Sequence, residues 1–168
     1  VGNSDGVYVF SPDSLQADPQ NYLTYNYNNG KLRSNEIKCI YQDTQNRIWI
    51  GSSGGGLSMC IPGTDYRNLT FKHDGTSNVL VNDMVQAIAE DKQGNLWIAT
   101  EYGISRFNPE TQAFDNYFFS AYTLGNVYSD NSSCVSKNGS LLFGTNYGLL
   151  VINPEQMGNN SVLNSSIT

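Results

Sequence analysis

Hydrophobic and polar positions alternate along this chain in short runs cut by turn residues. The order is clearest from Val85 to Pro109. Val85, Ala87 and Ala89 alternate with Gln86, Ile88 and Glu90, which predicts a strand with both faces partly apolar, as when sheets cover it on two sides. Asp91-Lys92-Gln93-Gly94 predicts a turn, because Asp can accept from nearby backbone N–H groups and Gly tolerates a positive φ. Leu96-Trp97-Ile98 predicts a second strand, Glu101-Tyr102-Gly103 the next turn and Ile104 to Phe107 a third strand. Asn108-Pro109 then stops the chain, and Ala113 to Phe119 predicts an aromatic fourth strand.

The unit recurs. An earlier copy runs from Ile37 to Ile61, and a looser one ends between Asn138 and Pro154. Trp49 and Trp97 lie 48 residues apart, and Gly103 and Gly148, like Pro109 and Pro154, lie 45 apart. The anchors of the repeat are Asp43 and Asp91, Trp49 and Trp97, Gly94 and Gly139, and Gly103 and Gly148. Four antiparallel strands in about 47 residues, repeated in tandem, are the mark of propeller blades. Each indole is the largest apolar body of its unit; burying ~150–250 Å² of it at ~25 cal/mol per Å² stabilises by roughly 4–6 kcal/mol, an upper bound.

The expected fold class is therefore all-β, a partial β-propeller of about three and a half four-stranded antiparallel blades, against about four to eight in closed rings. Residues 1–34 are expected to hold the last two strands of an incomplete blade, with strands from Val7 to Phe10 and Tyr22 to Tyr27. Residues 35–74 and 75–119 form two complete blades, 120–157 a closing blade, and 158–168 an exit segment. The absent first half of the first blade and the lack of an initiator Met make a fragment of a longer chain the expectation.

Charge narrows the partners. The 168 residues carry a formal net charge of −6 with Lys and Arg scattered, which offers no footprint for phosphate backbones, so nucleic acid is not expected. No apolar run is long enough to span a bilayer, so this segment is not expected to insert into a membrane. The three cysteines, Cys39, Cys60 and Cys134, are odd in number and lack C-x-x-C spacing, which argues against a disulfide framework or a zinc site. Cys39 aligns with Ala87 and Cys60 with Phe107, so both read as small core hydrophobes. No metal and no cofactor are expected.

Gly54-Gly55-Gly56 lacks the Lys-Ser/Thr ending of a phosphate loop and reads as a turn requiring positive φ. His73-Asp74 reads as a solvated loop pair rather than a catalytic one. Tyr117-Phe118-Phe119 with Tyr122 is the densest aromatic cluster; packing between blades and a sugar-stacking platform both fit it. In the last blade Leu142 stands where tryptophan stood, and the first strand, Asp130 to Ser136, is polar, as expected of a strand lining a water-filled channel or bordering another domain. The turns between second and third strands stack at equivalent places. Ser52, Ser53, Glu101, Tyr102, Asn146 and Tyr147 are the candidate ligand-binding residues: tyrosine gives a sugar an apolar face, and the polar groups meet its hydroxyls. Ordinary turn chemistry explains the same residues.

The blocks Glu90-Asp91-Lys92-Gln93-Gly94-Asn95-Leu96-Trp97-Ile98-Ala99-Thr100 and Gly103-Ile104-Ser105-Arg106-Phe107-Asn108-Pro109 closely resemble the two-component regulator propeller repeat, as do Gln42-Asp43 and Arg47-Ile48-Trp49-Ile50-Gly51. The resemblance implies a periplasmic sensor segment of a hybrid two-component histidine kinase, responding to an oligosaccharide and followed by a small β-sandwich, a transmembrane helix and cytoplasmic signalling modules. It implies no catalysis in this segment. The expected partners are the oligosaccharide, the remaining blades and β-sandwich of the parent chain, and a second copy of the chain. A protein-interaction propeller without a small ligand, and a propeller lyase or glycosidase, are the competing readings.

Overall fold

The structure, a computed structural model, describes residues 1–63, 69–73, 80–118 and 128–157. Among the described residues it is all-β apart from one short helix and one 3-10 turn, and the strands form four antiparallel sheets. The first sheet holds β1 (Gly2–Asn3), β2 (Gly6–Val9) and β3 (Leu23–Tyr25); the second β4 (Ile37–Gln42), β5 (Ile48–Ser52), β6 (Gly56–Cys60) and β7 (Lys72–His73). The third holds β8 (Val85–Glu90), β9 (Leu96–Thr100), β10 (Gly103–Asn108) and β11 (Ala113–Tyr117), and the fourth β12 (Tyr128–Val135), β13 (Leu141–Thr145) and β14 (Gly148–Ile152). Within each sheet neighbours in sequence are neighbours in space, the meander of a propeller blade.

Several sequence expectations are amended. The first sheet has a third strand, β1, ahead of the two expected. The helix α1 (Pro12–Ala17) was not foreseen, although Pro at the first helical position is a start signal that Ser11-Pro12-Asp13 displays. In the second sheet the fourth strand is only two residues long, Lys72–His73. The polar strand of the last sheet begins earlier, at Tyr128. Phe119, Tyr122 and the 158–168 exit segment lie outside the described residues.

Three apolar layers fill the gaps between consecutive sheets. Val7 and Tyr25 of the first sheet meet Ile50 and Cys60 of the second. Trp49 and Leu57 of the second meet Val85, Leu96, Ile98 and Phe107 of the third. Trp97 and Ile104 of the third meet Leu141, Phe143, Leu150 and Ile152 of the fourth. Each tryptophan therefore packs forward onto the following sheet. Trp49 meets Phe107 edge to face at 5.7 Å, and Trp97 stacks on Tyr117 at 5.4 Å and 18°. Tyr117 thus serves packing, whereas Phe118 is exposed.

The turn before each second strand repeats bond for bond. Asp43 N–H donates to Arg47 O, Asp91 N–H to Asn95 O and Ser136 N–H to Ser140 O, at 2.9–3.0 Å. The left-handed position of that turn is taken by Asn46 (φ 62°), Gly94 (φ 81°) and Gly139 (φ 92°), and Asn is the non-glycine residue that tolerates it best. In the first two copies the Asp side chain also accepts the indole N–H at 2.8 Å, from Trp49 to Asp43 and from Trp97 to Asp91. The third copy has lost both partners together. With Leu142 in place of tryptophan there is no indole to hold, and Ser136 suffices to close the turn.

Candidate functional site

The sheets present two edges. One carries the Asp-led turns, which are committed to the fold. The other carries the turns between second and third strands together with the chain entering each first strand. On this second edge a hydroxyl closes the turn in each of the last three sheets: Ser52 Oγ donates to Gly56 O (3.4 Å), Thr100 Oγ1 to Gly103 O (3.0 Å) and Thr145 Oγ1 to Gly148 O (3.0 Å). Backbone bonds stitch the turns to the entering segments. Ser53 N–H donates to Glu36 O, Gly54 and Gly56 N–H to Asp83 O, and Glu101 N–H to Met84 O. Gly54 (φ 74°) and Gly56 (φ 66°) take the positive φ expected of this turn.

The candidate residues divide by role on this edge. Ser52 is buried, with its hydroxyl spent on the turn. Ser53 is half-buried; its hydroxyl donates to Met84 Sδ at 3.3 Å and its carbonyl accepts from Ser34 Oγ at 2.7 Å. Glu101, Tyr102, Asn146 and Tyr147 face water, the two rings at 63% and 73% exposure. The turns that carry them belong to adjacent sheets. No hydrogen bond joins the side chains of one turn to those of another among the described residues.

A second group went unread in the sequence. The pairing of first with second strand slips between Ile37 and Cys39 in the second sheet and between Val85 and Ala87 in the third. It slips again, more widely, between Tyr128 and Ser133 in the fourth, where Asn131 has φ 53°. These are β-bulges at one equivalent place, and a bulge re-aims side chains. Lys38, Gln86 and Asp130 fall within them. Lys38 Nζ lies 2.8 Å from Glu36 Oε1 and 3.1 Å from Asp130 Oδ2, a link between β4 and β12 across the intervening β8. Gln86 Oε1 accepts from Tyr128 N–H at 3.2 Å. First strands of the second and fourth sheets can meet this way only if all three converge on a common axis. The hydrogen bonds to Glu36 and Asp130 raise the Lys38 pKa, and Lys38 in turn lowers that of Glu36. The signal available in the sequence was a polar residue at matching positions, Lys38 and Gln86, inside runs that otherwise supply core.

Of the remaining candidates for chemistry, Cys39, Cys60 and His73 are accounted for by packing. Cys39 and Cys60 are buried free thiols on β4 and β6, with β5 between them, and burial pushes them up to about 12 and about 11. Cys134 is a free and exposed thiol. His73 is not a solvated loop residue. It sits half-buried in β7 with Nδ1 2.8 Å from Ser58 Oγ of β6, and burial followed by the nearby Arg33 charge holds its pKa below the ordinary 6.5. Ser58 is itself buried, so the pair ties β6 to β7; Asp74 lies outside the described residues. Among the described residues no three His, Cys, Asp or Glu side chains cluster as a metal site would need, and no helix is long and apolar enough to cross a membrane.

Asp43 allows a prediction about pH. Burial opposes its charge, but hydrogen bonds from the Trp49 indole and Arg47, with the Arg47 charge, outweigh burial and hold its pKa below the ordinary 3.8. A carboxylate depressed in the fold contributes stability that is complete above the unfolded value and fades as pH falls through the folded one. Melting temperature followed from neutral pH into acid should fall fastest below that range, and Asp43→Asn should flatten part of the fall. An unchanged acid slope in the variant would show that the pair carries no linkage.

Residues 31–54 and 79–102 match the family model described as two component regulator propeller. Histidine kinase P4 of Formosa agariphila is 24% identical over 151 residues, covering 64% of this chain and 11% of that protein. Among solved structures, the extracellular domain assigned to the hybrid two component system BT3049 of B. thetaiotaomicron aligns at a TM-score of 0.75 and 28% identity, over 91% of this chain and 19% of that one. The extracellular domain assigned to the one component system BT4673 of the same organism aligns at 0.68 and 22%, over 98% and 21%, a likeness that bears on the fold alone. The chain thus spans about a tenth of the kinase and about a fifth of each structure.

Proposed function

The chain carries two-component regulator propeller repeats, and from that premise we propose that it is the ligand-sensing part of the extracytoplasmic, periplasmic region of a hybrid two-component sensor kinase, with an oligosaccharide as its ligand. The observation that carries the reading is the pair of exposed rings, Tyr102 and Tyr147, at equivalent turns of adjacent sheets. Their backbone N–H groups already close the turns, donating to Thr100 and Thr145 hydroxyls, so the rings are not needed for folding there. An exposed aromatic face beside the Glu101 carboxylate and the Asn146 amide supplies what a sugar ring requires, one apolar surface and several polar partners. In this reading Ser52 and Ser53 shape the neighbouring turn. No catalytic role is assigned to the segment; signalling follows if the sugar favours one of two receptor arrangements, since equal affinity for both would shift nothing.

Isothermal calorimetry of the purified chain against neutral and acidic oligosaccharides tests the proposal. A ligand should appear, and Tyr102→Ala or Tyr147→Ala should weaken it about tenfold, the loss of ~1.4 kcal/mol, without lowering the melting temperature. Silence toward every glycan would reject the reading. A protein-docking propeller draws on a different observation. Leu149 is 55% exposed on β14, at a position whose counterparts Leu57 and Ile104 are buried against a following sheet, and Val151 on the same strand is 57% exposed.

A further inference from the structure

We infer that the three bulge residues Lys38, Gln86 and Asp130 form the polar floor of the ligand site and select a neutral, hydroxyl-rich sugar over an acidic one. The inference rests on the reading of this edge as a glycan site and names the chemistry at its centre. Three observations lead to it. First, a bulge recurs at the same end of the first strand in three successive sheets, a single slip in the second and third and a wider one in the fourth. A defect that recurs in this way is a feature of the fold, and bulges gather beside binding sites because they turn an added side chain out of the ladder.

Second, the bulges lie at the ligand-facing end of the strands. Ile37, Val85 and Tyr128 pair with Ser52, Thr100 and Thr145, the hydroxyl residues that open the turns holding the candidate side chains. One or two residues at ~3.3 Å each separate the bulges from those turns. Third, the ion pair is too exposed to be explained by stability. The Glu36 and Asp130 side chains are about half exposed and Lys38 about a quarter, and pairs of this kind contribute little to folding. What they do fix is the position of donors and acceptors on the axis.

The selectivity follows from the charges. Lys38 is the cation of the group, and two carboxylates, Glu36 and Asp130, already neutralise it. Asp83 and Glu101 sit on the adjoining loops, their backbones bonded into the same edge. A uronate or sulfate entering there would displace a carboxylate from Lys38 and leave it facing the incoming anion. A neutral sugar meets ammonium and amide donors and carboxylate acceptors in alternation, as vicinal hydroxyls do in reverse.

Calorimetry with cello-, xylo-, manno- and maltohexaose and with trigalacturonate tests this. The wild-type chain should bind at least one neutral hexaose, and trigalacturonate about tenfold more weakly or not at all; Lys38→Met and Asp130→Asn should each weaken the neutral sugar about tenfold. Because neither side chain is buried and the pair contributes little to folding, circular dichroism and melting temperature should stay close to wild type. Asp130→Lys, which leaves two cations on the axis, should shift preference toward trigalacturonate, a change that loss of a purely structural pair would not produce. Wild-type affinity in both single variants would overturn the inference while leaving the glycan reading standing. So would a wild-type preference for trigalacturonate. No binding to any of the five would reject the glycan reading and this inference with it.

Discussion

Replacing Trp97 with alanine is expected to destabilise the chain by about 3–5 kcal/mol, the range for large aromatics removed from a packed interior. The indole is wholly buried, stacks on Tyr117, donates to Asp91 and lies under the Arg106 guanidinium at 5.8 Å. It is also the joint between the third and fourth sheets, among Leu141, Phe143 and Ile152. A cavity there cannot be filled by one sheet relaxing, because two rigid sheets hold its walls. Since domains of this size are stable by only ~5–15 kcal/mol, the loss consumes a large part of the total. Urea unfolding by circular dichroism measures it; a cost under about 1 kcal/mol would mean the two sheets do not depend on this ring.

The second large effect is expected at Asp91. Its carboxylate accepts from four donors: the Trp97 indole N–H, the Asn95 side-chain amide, and the backbone N–H groups of Gln93 and Asn95. Asp91→Ala leaves the Trp97 and Asn95 donors buried without an acceptor, and unsatisfied buried groups cost ~1–3 kcal/mol each where water cannot reach them. Partial rescue by water brings the expected loss to about 2–4 kcal/mol. Asp91→Asn keeps an acceptor for the indole and should recover part of it. The cost should depend on the ring: in a double-mutant cycle, Asp91→Ala should be much cheaper once Trp97 is phenylalanine. Additive losses would show that the carboxylate and the indole act independently. The fourth sheet is a natural precedent for that coupling, having Ser136 and Leu142 at these two positions.

The sequence made the second and third sheets legible because each level of the pattern agrees. Alternation marks the strands, Asp-led turns separate them, and a tryptophan recurs at one offset. The fourth sheet was legible in outline from Gly139, Gly148 and Pro154, although its first strand carries almost no apolar signal; β12 is held instead by pairing with β13 and by Ser133 Oγ donating to Ile88 O at 2.6 Å. Glu90 shows what a strand pattern leaves out. Its buried carboxylate reaches back to the N–H and hydroxyl of Thr44 in the preceding sheet, a partner 46 residues away. The bulges were hidden for the same reason, since register depends on how two strands meet. Lys38 and Asp130, 92 residues apart, become neighbours only through the curvature of three sheets together. At the candidate site, the sequence could locate the turns but not separate buried Ser52 from exposed Tyr102, because both occupy turn positions and differ in what the entering loops cover.

The most direct test of the account is the exchange of the two indole N–H protons, followed by NMR on the chain labelled at tryptophan. Repeated sheets, each closing over the ring of the one before, place Trp49 and Trp97 in equivalent surroundings, bonded to Asp43 and Asp91 at the same 2.8 Å. Two protected resonances that both lose protection only on global unfolding are the expected result. One indole exchanging as fast as a free peptide while the other stays protected would contradict it.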